Sequence, residues 1–167
     1  TYNSYKIIPG ASPLDGLPAV TGGAADCSTL EIYCRDDVLS LDVTLVYTVY
    51  EKLDVIARAV RLANGGTAPL FLTKVLSASF DMDNRSYDVL TLHGAWARER
   101  HINRRPVVPG MQGLSSIRGE SGHQDHPFIA LLDHTADHEH GSVYGVSFVY
   151  SGNFIADVND NQFDMMR

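Results

Sequence analysis

The ten residues Leu41-Asp42-Val43-Thr44-Leu45-Val46-Tyr47-Thr48-Val49-Tyr50 decide how the chain folds. Apolar side chains stand at 41, 43, 45, 47 and 49, and polar Asp42, Thr44 and Thr48 stand between them. Successive side chains of a strand point to opposite faces of its sheet, so this alternation predicts a half-buried β-strand.

Similar segments lie on both sides of this run. Strands are predicted at 29–35, 53–63, 70–80, 87–92, 113–119, 128–132, 143–150 and 154–158, with an edge strand or loop at 4–16. Two Asn/Gly turns, at 64–66 and 151–153, are predicted to close hairpins, the second between 143–150 and 154–158. About ten short strands without a helix are typical of an antiparallel sandwich or barrel.

Composition limits the function classes. The 167 residues are 44% hydrophobic and carry a net charge of −7, which suits one domain with a substantial core. A nucleic-acid or anionic-membrane surface needs a broad excess of Lys and Arg, so neither partner is expected. The chain also lacks a long apolar run and opens without the apolar core of a signal peptide. A soluble, cytoplasmic protein is therefore predicted.

The two cysteines, Cys27 and Cys34, form neither a disulfide framework nor a Cys-x-x-Cys pair. Free thiols in a reducing compartment are expected. The sequence also lacks an initiating Met and ends abruptly after Met166 and Arg167, which suggests a truncated piece of a longer protein.

The segment 92–106 breaks the strand-like pattern and holds the single Trp, Trp96. It also holds four of the thirteen Lys and Arg residues, which are Arg98, Arg100, Arg104 and Arg105. An indole flanked by small residues can stack on a sugar ring or fill a partner's pocket. The alternative is a core Trp beside a solvated run of charge. Pro106, Pro109 and Gly110 exclude a helix at the end of this segment, which is expected to be extended or a loop.

Clustered histidines are candidate metal ligands, because imidazoles bind zinc or copper. The candidates are His123, His126, His134, His138 and His140. Only His138 and His140 have the two-residue spacing that puts ligands on one strand face, and they fall at the tip of an expected polar hairpin loop, 133–141. Solvated loop histidines are therefore predicted, with no metal and no other cofactor.

Several irregular motifs occur together and in order. They are LDGLPA at 14–19, TLEI at 29–32, LDVTL at 41–45, LHGAWARER at 92–100, RRP at 104–106, GESGHQ at 119–124, PFIAL at 127–131 and VYSGNF at 149–154. Over nearly its whole length the chain thus resembles the N-terminal domain of the family 36 α-galactosidases. The resemblance implies an all-β antiparallel β-supersandwich of the galactose-mutarotase type, of which residues 1–167 are part.

That resemblance also implies the function. In the intact enzyme this domain packs against a (β/α)8 barrel that hydrolyses terminal α-linked galactose and carries both aspartates of the retaining mechanism. The barrel is not in this chain, so no catalytic residue is expected here. Asp81, Asp83 and Asp88 could suggest a carboxylate pair, but acidic residues in a predicted polar turn are usually solvated.

The family motif implies one site residue, Trp96, which would reach the substrate pocket of a neighbouring subunit. A homo-oligomer is therefore expected, with an α-galactoside as substrate and the chain's own barrel domain as partner. We expect Glu99 and the four arginines to hold the loop or the subunit contact through bidentate pairs. The alternative function is a stand-alone carbohydrate-binding β-sandwich.

Overall fold

The computed structural model describes residues 1–150, 152–163 and 165–167. Its described part is built from antiparallel β-strands with one short 3-10 turn, Glu51–Leu53, which confirms the predicted all-β class. Contacts divide the chain into two compact units, Thr1–Ser79 and Phe80–Arg167. No helix in the described part has the length and apolar character that crossing a membrane would require.

The first unit is a four-stranded sheet in the order β1-β2-β3-β4. Its strands are β1 (Tyr2–Pro9), β2 (Ser28–Asp36), β3 (Leu41–Tyr50) and β4 (Val55–Asn64). Strand β3 spans the alternating run that predicted it. It lies between β2 and β4, so that Leu45 faces Ile32 on one side and Val60 on the other.

Residues 10–27 are held against one face of this sheet by hydrogen bonds from polar side chains. The Thr29 hydroxyl donates to the Gly10 carbonyl at 2.7 Å, and the Tyr50 hydroxyl donates to the Thr21 carbonyl at 2.8 Å. The carboxylate of Glu31 accepts from Ser12, Tyr33 and Arg61 at 2.6 to 2.9 Å. A polar network therefore connects this loop to the sheet.

The second unit contains two four-stranded sheets, ordered β10-β9-β6-β7 and β5-β12-β11-β8. The strands are β5 (Met82–Asp83), β6 (Tyr87–Ala95), β7 (Arg98–Pro106), β8 (Gly110–Ser116), β9 (Asp125–Asp133), β10 (Val143–Ser147), β11 (Phe154–Asp160) and β12 (Met165–Met166). The core between them comprises Tyr87, Val89, Leu114, Ile129, Val158 and Met166. A smaller apolar cluster of Ala130, Leu132 and Ala136 includes the first part of the 134–142 loop.

Two predicted pairings are wrong. Residues 70–80, predicted to be a strand after the 64–66 turn, contain no strand, and β4 pairs only with β3 among the described residues. Strands β10 and β11 do not form a hairpin either, because β10 pairs with β9 and β11 pairs with β8 and β12. Ser151, the first residue of that predicted turn, lies outside the described residues.

Candidate functional site: the β6–β7 hairpin tip

Trp96 lies at the tip of the β6–β7 hairpin, in a turn whose flanking residues Ala95 and Arg98 are paired. Trp96 is 83% exposed, so it is not part of the core that these 167 residues form, which was the alternative left open by the sequence. Ala97, the other residue of the turn, has a left-handed backbone with φ of 63°. The hairpin thus presents an uncovered indole, which is uncommon for so large an apolar group.

The backbone on the β7 side of the tip is bulged. His93 pairs with His101 and Ala95 pairs with Arg98, so β7 has one more residue than β6 between these pairs. The Glu99 carboxylate accepts a hydrogen bond from the Ala97 N–H at 2.8 Å. Opposite the bulge, a Cβ on Gly94 would collide with the Arg98 carbonyl oxygen and would lie 2.9 Å from the Glu99 Cα. Glycine at position 94 therefore permits the close approach of the two strands.

A chain of three polar side chains lies at the base of the hairpin. The Thr91 hydroxyl and the His93 Nε2 atom are 2.8 Å apart, and the His93 Nδ1 atom is 3.1 Å from the Asp125 carboxylate. The order Thr-His-Asp resembles a nucleophile relay. Thr91 is only 2% exposed, however, so its hydroxyl has no open path to a substrate. The arrangement orients His93 and joins β6 to β9.

An open cleft of about 570 Å³ lies beside the bulge. Its lining includes Glu99, Arg100, His123, His126 and Pro127. His126 belongs to β9 and not to the loop predicted for it. The cleft offers hydrogen-bond donors and acceptors of both charge signs, which suits a polar ligand more than an apolar one.

Asp88 is not the solvated turn residue that the sequence indicated. It lies in β6 with its side chain 6% exposed, and its two oxygens accept from Arg104 at 2.7 Å and from His134 at 2.9 Å. Burial raises the pKa of Asp88, but the hydrogen bonds from His134 and Arg104 outweigh burial and bring this pKa below its usual value. A buried carboxylate held ionised in this way is poorly suited to donate a proton.

Arg104 holds the loop that follows β9. Besides Asp88, its guanidinium donates to the carbonyls of Ala136, Asp133 and His134 at 2.7 to 3.0 Å. Asp81, another carboxylate considered from the sequence, pairs instead with Arg167, which lowers the pKa of Asp81. Of the residues expected to support the Trp96 loop, Glu99 contacts the turn directly, whereas Arg104 supports a different loop.

The histidines do not converge on a metal site within the part of the chain that the structure describes. No group of three or more His, Cys, Asp or Glu side chains there is placed to hold an ion. His134 and His140 are exposed loop residues, as predicted, and each also forms a hydrogen bond, with Asp88 and Asp137 respectively. The backbone N–H groups of Glu139 and His140, followed by the His140 side chain, lower the pKa of Asp137. A metal-free protein remains a prediction.

Sequence reasoning missed the Asp88–Arg104–His134 cluster, because its members come from β6, β7 and the loop after β9. The Thr91–His93 contact could have been predicted from the sequence, since residues two apart on a strand lie on the same face. Glu99 was identified, but its bond to Ala97 depends on a turn that the sequence did not define.

Comparison with known proteins places this architecture in a class of glycoside hydrolase domains. A family model described as the glycosyl hydrolase family 36 N-terminal domain matches residues 1–167. The chain therefore belongs to the N-terminal domains of glycosyl hydrolase family 36, as its motifs indicated.

Individual relatives agree with this assignment. The chain is 47% identical over 167 residues to α-galactosidase AgaA of Geobacillus stearothermophilus, which covers 99% of this chain and 23% of AgaA. A crystal structure of AgaA superposes with a TM-score of 0.95. The bifunctional α-galactosidase/sucrose kinase AgaSK of Mediterraneibacter gnavus is 39% identical over 166 residues, 99% of this chain and 18% of that protein. The chain thus spans about a quarter or less of the length of these relatives.

Proposed function

We propose that this chain is a non-catalytic module of an α-galactosidase that supports assembly of a homo-oligomer and contributes Trp96 to a galactoside pocket of a neighbouring subunit. The observation that carries the proposal is the exposed indole on a defined turn, 83% accessible and flanked by a bonded Glu99. Aromatic side chains bind the apolar C–H faces of sugars, and a turn fixed in advance loses little entropy on binding.

The relatives support galactosides as the substrate class. Structures of AgaA variants include complexes with raffinose and with stachyose. The catalytic residues belong, on this proposal, to the barrel domain that follows in such enzymes. The isolated chain is therefore inactive, and release of nitrophenol from an α-nitrophenyl galactoside by the purified chain would contradict this.

The test of Trp96 uses a chimera in which this chain replaces the matching segment of AgaA. Trp96→Ala should lower kcat/KM by roughly 5- to 200-fold, corresponding to about 1–3 kcal/mol of lost apolar contact. Ile102→Ala is the matched control, because Ile102 is 69% exposed on the same hairpin. Equal kinetics for the two variants would contradict a binding role for Trp96.

A mixing experiment separates binding within one subunit from binding across subunits. Chimeras with Trp96→Ala are co-assembled with chimeras that lack the barrel nucleophile. Each parent has one defect, so a hybrid pocket can combine an intact Trp with intact carboxylates. Recovered activity supports donation across subunits, whereas a defect that mixing cannot rescue places Trp96 in its own subunit's site.

The second candidate, a stand-alone carbohydrate-binding sandwich, is favoured by the same exposed indole. Trp96 is the single Trp of the chain, so its fluorescence reports on this site alone. Saturable quenching of the isolated chain by galactose or raffinose would favour this second function. The module hypothesis expects no saturation at millimolar sugar, because the rest of the pocket is missing.

The proposed cellular setting is the cytoplasm, with neither nucleic acid nor membrane as partner. Two free cysteines suit a reducing compartment, and a net charge of −7 disfavours polyanions.

A further inference from the structure

The bulge in β7 contains a second left-handed residue, Arg100, beside the open cleft. Arg100 has a φ of 59°, and Ala97 before it has a φ of 63°. This conformation costs energy in any residue with a Cβ. Residues held in strained conformations cluster at ligand-binding and catalytic sites. The backbone on both sides of Glu99 is thus strained where the hairpin meets the cleft, and this strain motivates a search for a ligand there.

Two segments of the second unit line the cleft. One is the bulge, with Glu99 and Arg100, and the other is the segment 121–127, with His123 and His126. The volume of about 570 Å³ lies within the range of about 300–1,000 Å³ that small-molecule sites occupy. The cleft is therefore large enough for part of an oligosaccharide.

Hydrogen bonds join the two segments, so the cleft has a defined shape. The Gly94 N–H donates to the Gln124 carbonyl at 3.3 Å. The His93 Nδ1 atom lies 3.1 Å from the Asp125 carboxylate. Gly94 and His93 belong to the hairpin, whereas Gln124 and Asp125 belong to the other segment. A site whose walls are joined before the ligand arrives loses little entropy on binding.

The charged groups of the cleft favour a neutral ligand that both donates and accepts hydrogen bonds. The Arg100 guanidinium offers several N–H donors and has no partner among the described residues. The Glu99 carboxylate on the same wall would repel a phosphate or a carboxylate, and Arg100 would repel a cation. Neighbouring hydroxyls of a sugar ring can accept from the guanidinium fork and donate to a carboxylate.

We propose that this cleft binds the sugar rings of the leaving group of an oligosaccharide α-galactoside, and that Arg100 determines specificity by donating to their hydroxyls. The inference rests on the proposed function, in which the hairpin enters a galactoside pocket. Glu99 bonds to the Trp96 turn and also lines the cleft, so Trp96 and Arg100 contact different parts of one substrate. Raffinose, present in a complex with an AgaA variant, is a ligand of this class.

Two substrates with different leaving groups test the proposal in the AgaA chimera. Raffinose releases sucrose, whereas 4-nitrophenyl α-galactoside releases a phenol that carries no sugar hydroxyls. A site that hydrogen-bonds a substrate hydroxyl discriminates against a substrate that lacks it. We expect Arg100→Ala to lower kcat/KM for raffinose by about tenfold, chiefly through KM, and to change kcat/KM for the nitrophenyl substrate by less than about twofold.

Arg85→Ala is the matched control. Arg85 is exposed, precedes the other end of β6 and does not line the cleft. This variant removes the same side chain from the same unit and should hydrolyse both substrates as the unmodified chimera does. A fall for raffinose in Arg85→Ala as large as in Arg100→Ala would show that general loss of positive charge is responsible, and would overturn the proposal.

Arg100→Gly separates the side chain from the strained backbone. Glycine adopts a φ of 59° without the cost of a Cβ, so this variant keeps the bulge and removes only the guanidinium. We expect the same selective loss for raffinose as in Arg100→Ala. Unchanged raffinose kinetics in Arg100→Gly would overturn the proposal. If Arg100→Ala fails to fold, Arg100→Gly decides alone.

Substrate selectivity decides the remaining outcomes. An equal fall for both substrates would assign Arg100 to support of the hairpin or of a subunit contact, and would overturn the proposal. Trp96→Ala is expected to slow both substrates, because both carry the galactosyl group. A silent Trp96→Ala beside a selective Arg100→Ala would contradict the role of Trp96 alone, so failure of the cleft and failure of the proposed function are distinguishable.

Discussion

The carboxylate of Glu99 accepts a hydrogen bond from the backbone N–H of Ala97, across the turn that exposes Trp96. The bond satisfies a turn amide and favours the left-handed Ala97 conformation, which a residue with a Cβ adopts at some cost. Glu99 therefore positions the indole through the turn backbone and not through a bond to the indole itself.

Replacing Glu99 by Ala should loosen the turn with little effect on global stability. We expect a change of about 0.5 kcal/mol or less in the free energy of unfolding, because the site is exposed. Trp96 fluorescence anisotropy should fall. Glu99→Gln keeps an oxygen acceptor and should retain most of the wild-type anisotropy, whereas equal anisotropy in all three proteins would show that the bond does not restrain the turn.

Gly94→Ala should distort the hairpin. The added Cβ meets backbone atoms of Arg98 and Glu99, which cannot rotate away as a flexible side chain would. A cost of about 1–3 kcal/mol in urea unfolding is expected from such overpacking. Gly119→Ala is a contrasting variant, since its Cβ meets no atom within 4 Å and only its φ of 81° is unfavourable.

Removing the Asp88 carboxylate should destabilise the second unit. Asp88→Ala leaves Arg104 and His134 without this acceptor, and we expect a loss of about 3 kcal/mol. Asp88→Asn retains one oxygen acceptor and should cost less. Chemical denaturation at neutral pH measures both, and a stability equal to wild type in Asp88→Ala would contradict the role assigned to this cluster.

The same carboxylate predicts a pH dependence. The pKa of Asp88 is lower in the folded chain than its usual 3.8, so its ionised form is favoured by folding. The stability that the Asp88 carboxylate contributes is therefore complete above its pKa in the unfolded chain. This stability is lost as the pH falls through the pKa of Asp88 in the folded chain. Between pH 5 and pH 3, wild type should lose more stability than Asp88→Asn, and parallel losses would argue against this assignment.

Arg61→Lys should release the loop at residues 10–27. Arg61 donates to Glu31 and Ser12, each at 2.6 Å, and also reaches the Pro13 carbonyl. A lysine ammonium is a compact charge that cannot match this fork of donors. We expect a protease to cleave the variant faster than wild type within residues 10–27, whereas the rate of cleavage in the second unit should not change. Lys52→Arg, a change in the exposed 3-10 turn, is the control.

The sequence predicted the strands of the first sheet well and the remaining pairings less well, for physical reasons. In β2, β3 and β4 the alternation of side chains coincides with chain-neighbour pairing, so local pattern was sufficient. The apolar run at 70–80 has strand propensity, but propensity largely measures packing against neighbours, and this run pairs with none of the described strands. Strand β10 pairs with β9 across the polar hairpin loop that the sequence indicated at 133–141, whereas the turn signal at 151–153 predicted a second pairing of β10 that does not form.

At the candidate site, the motif located Trp96 but not the contacts around it. Whether Trp96 is buried depends on the turn, and the turn depends on a bulge created where Gly94 meets Glu99. Asp88 illustrates the same limit, since His134 is 46 residues away along the chain. Convergence of this kind is a property of strand order and register, which single-sequence patterns do not encode.

The turn that carries Trp96 is stabilised by groups other than the indole. They are Gly94 opposite the bulge, Ala97 in a left-handed conformation, and the Glu99 carboxylate, which accepts a hydrogen bond from the Ala97 N–H. The side chain at position 96 can therefore be exchanged without rebuilding its support. Single substitutions at position 96 would change the surface that the hairpin presents while the domain keeps its stability.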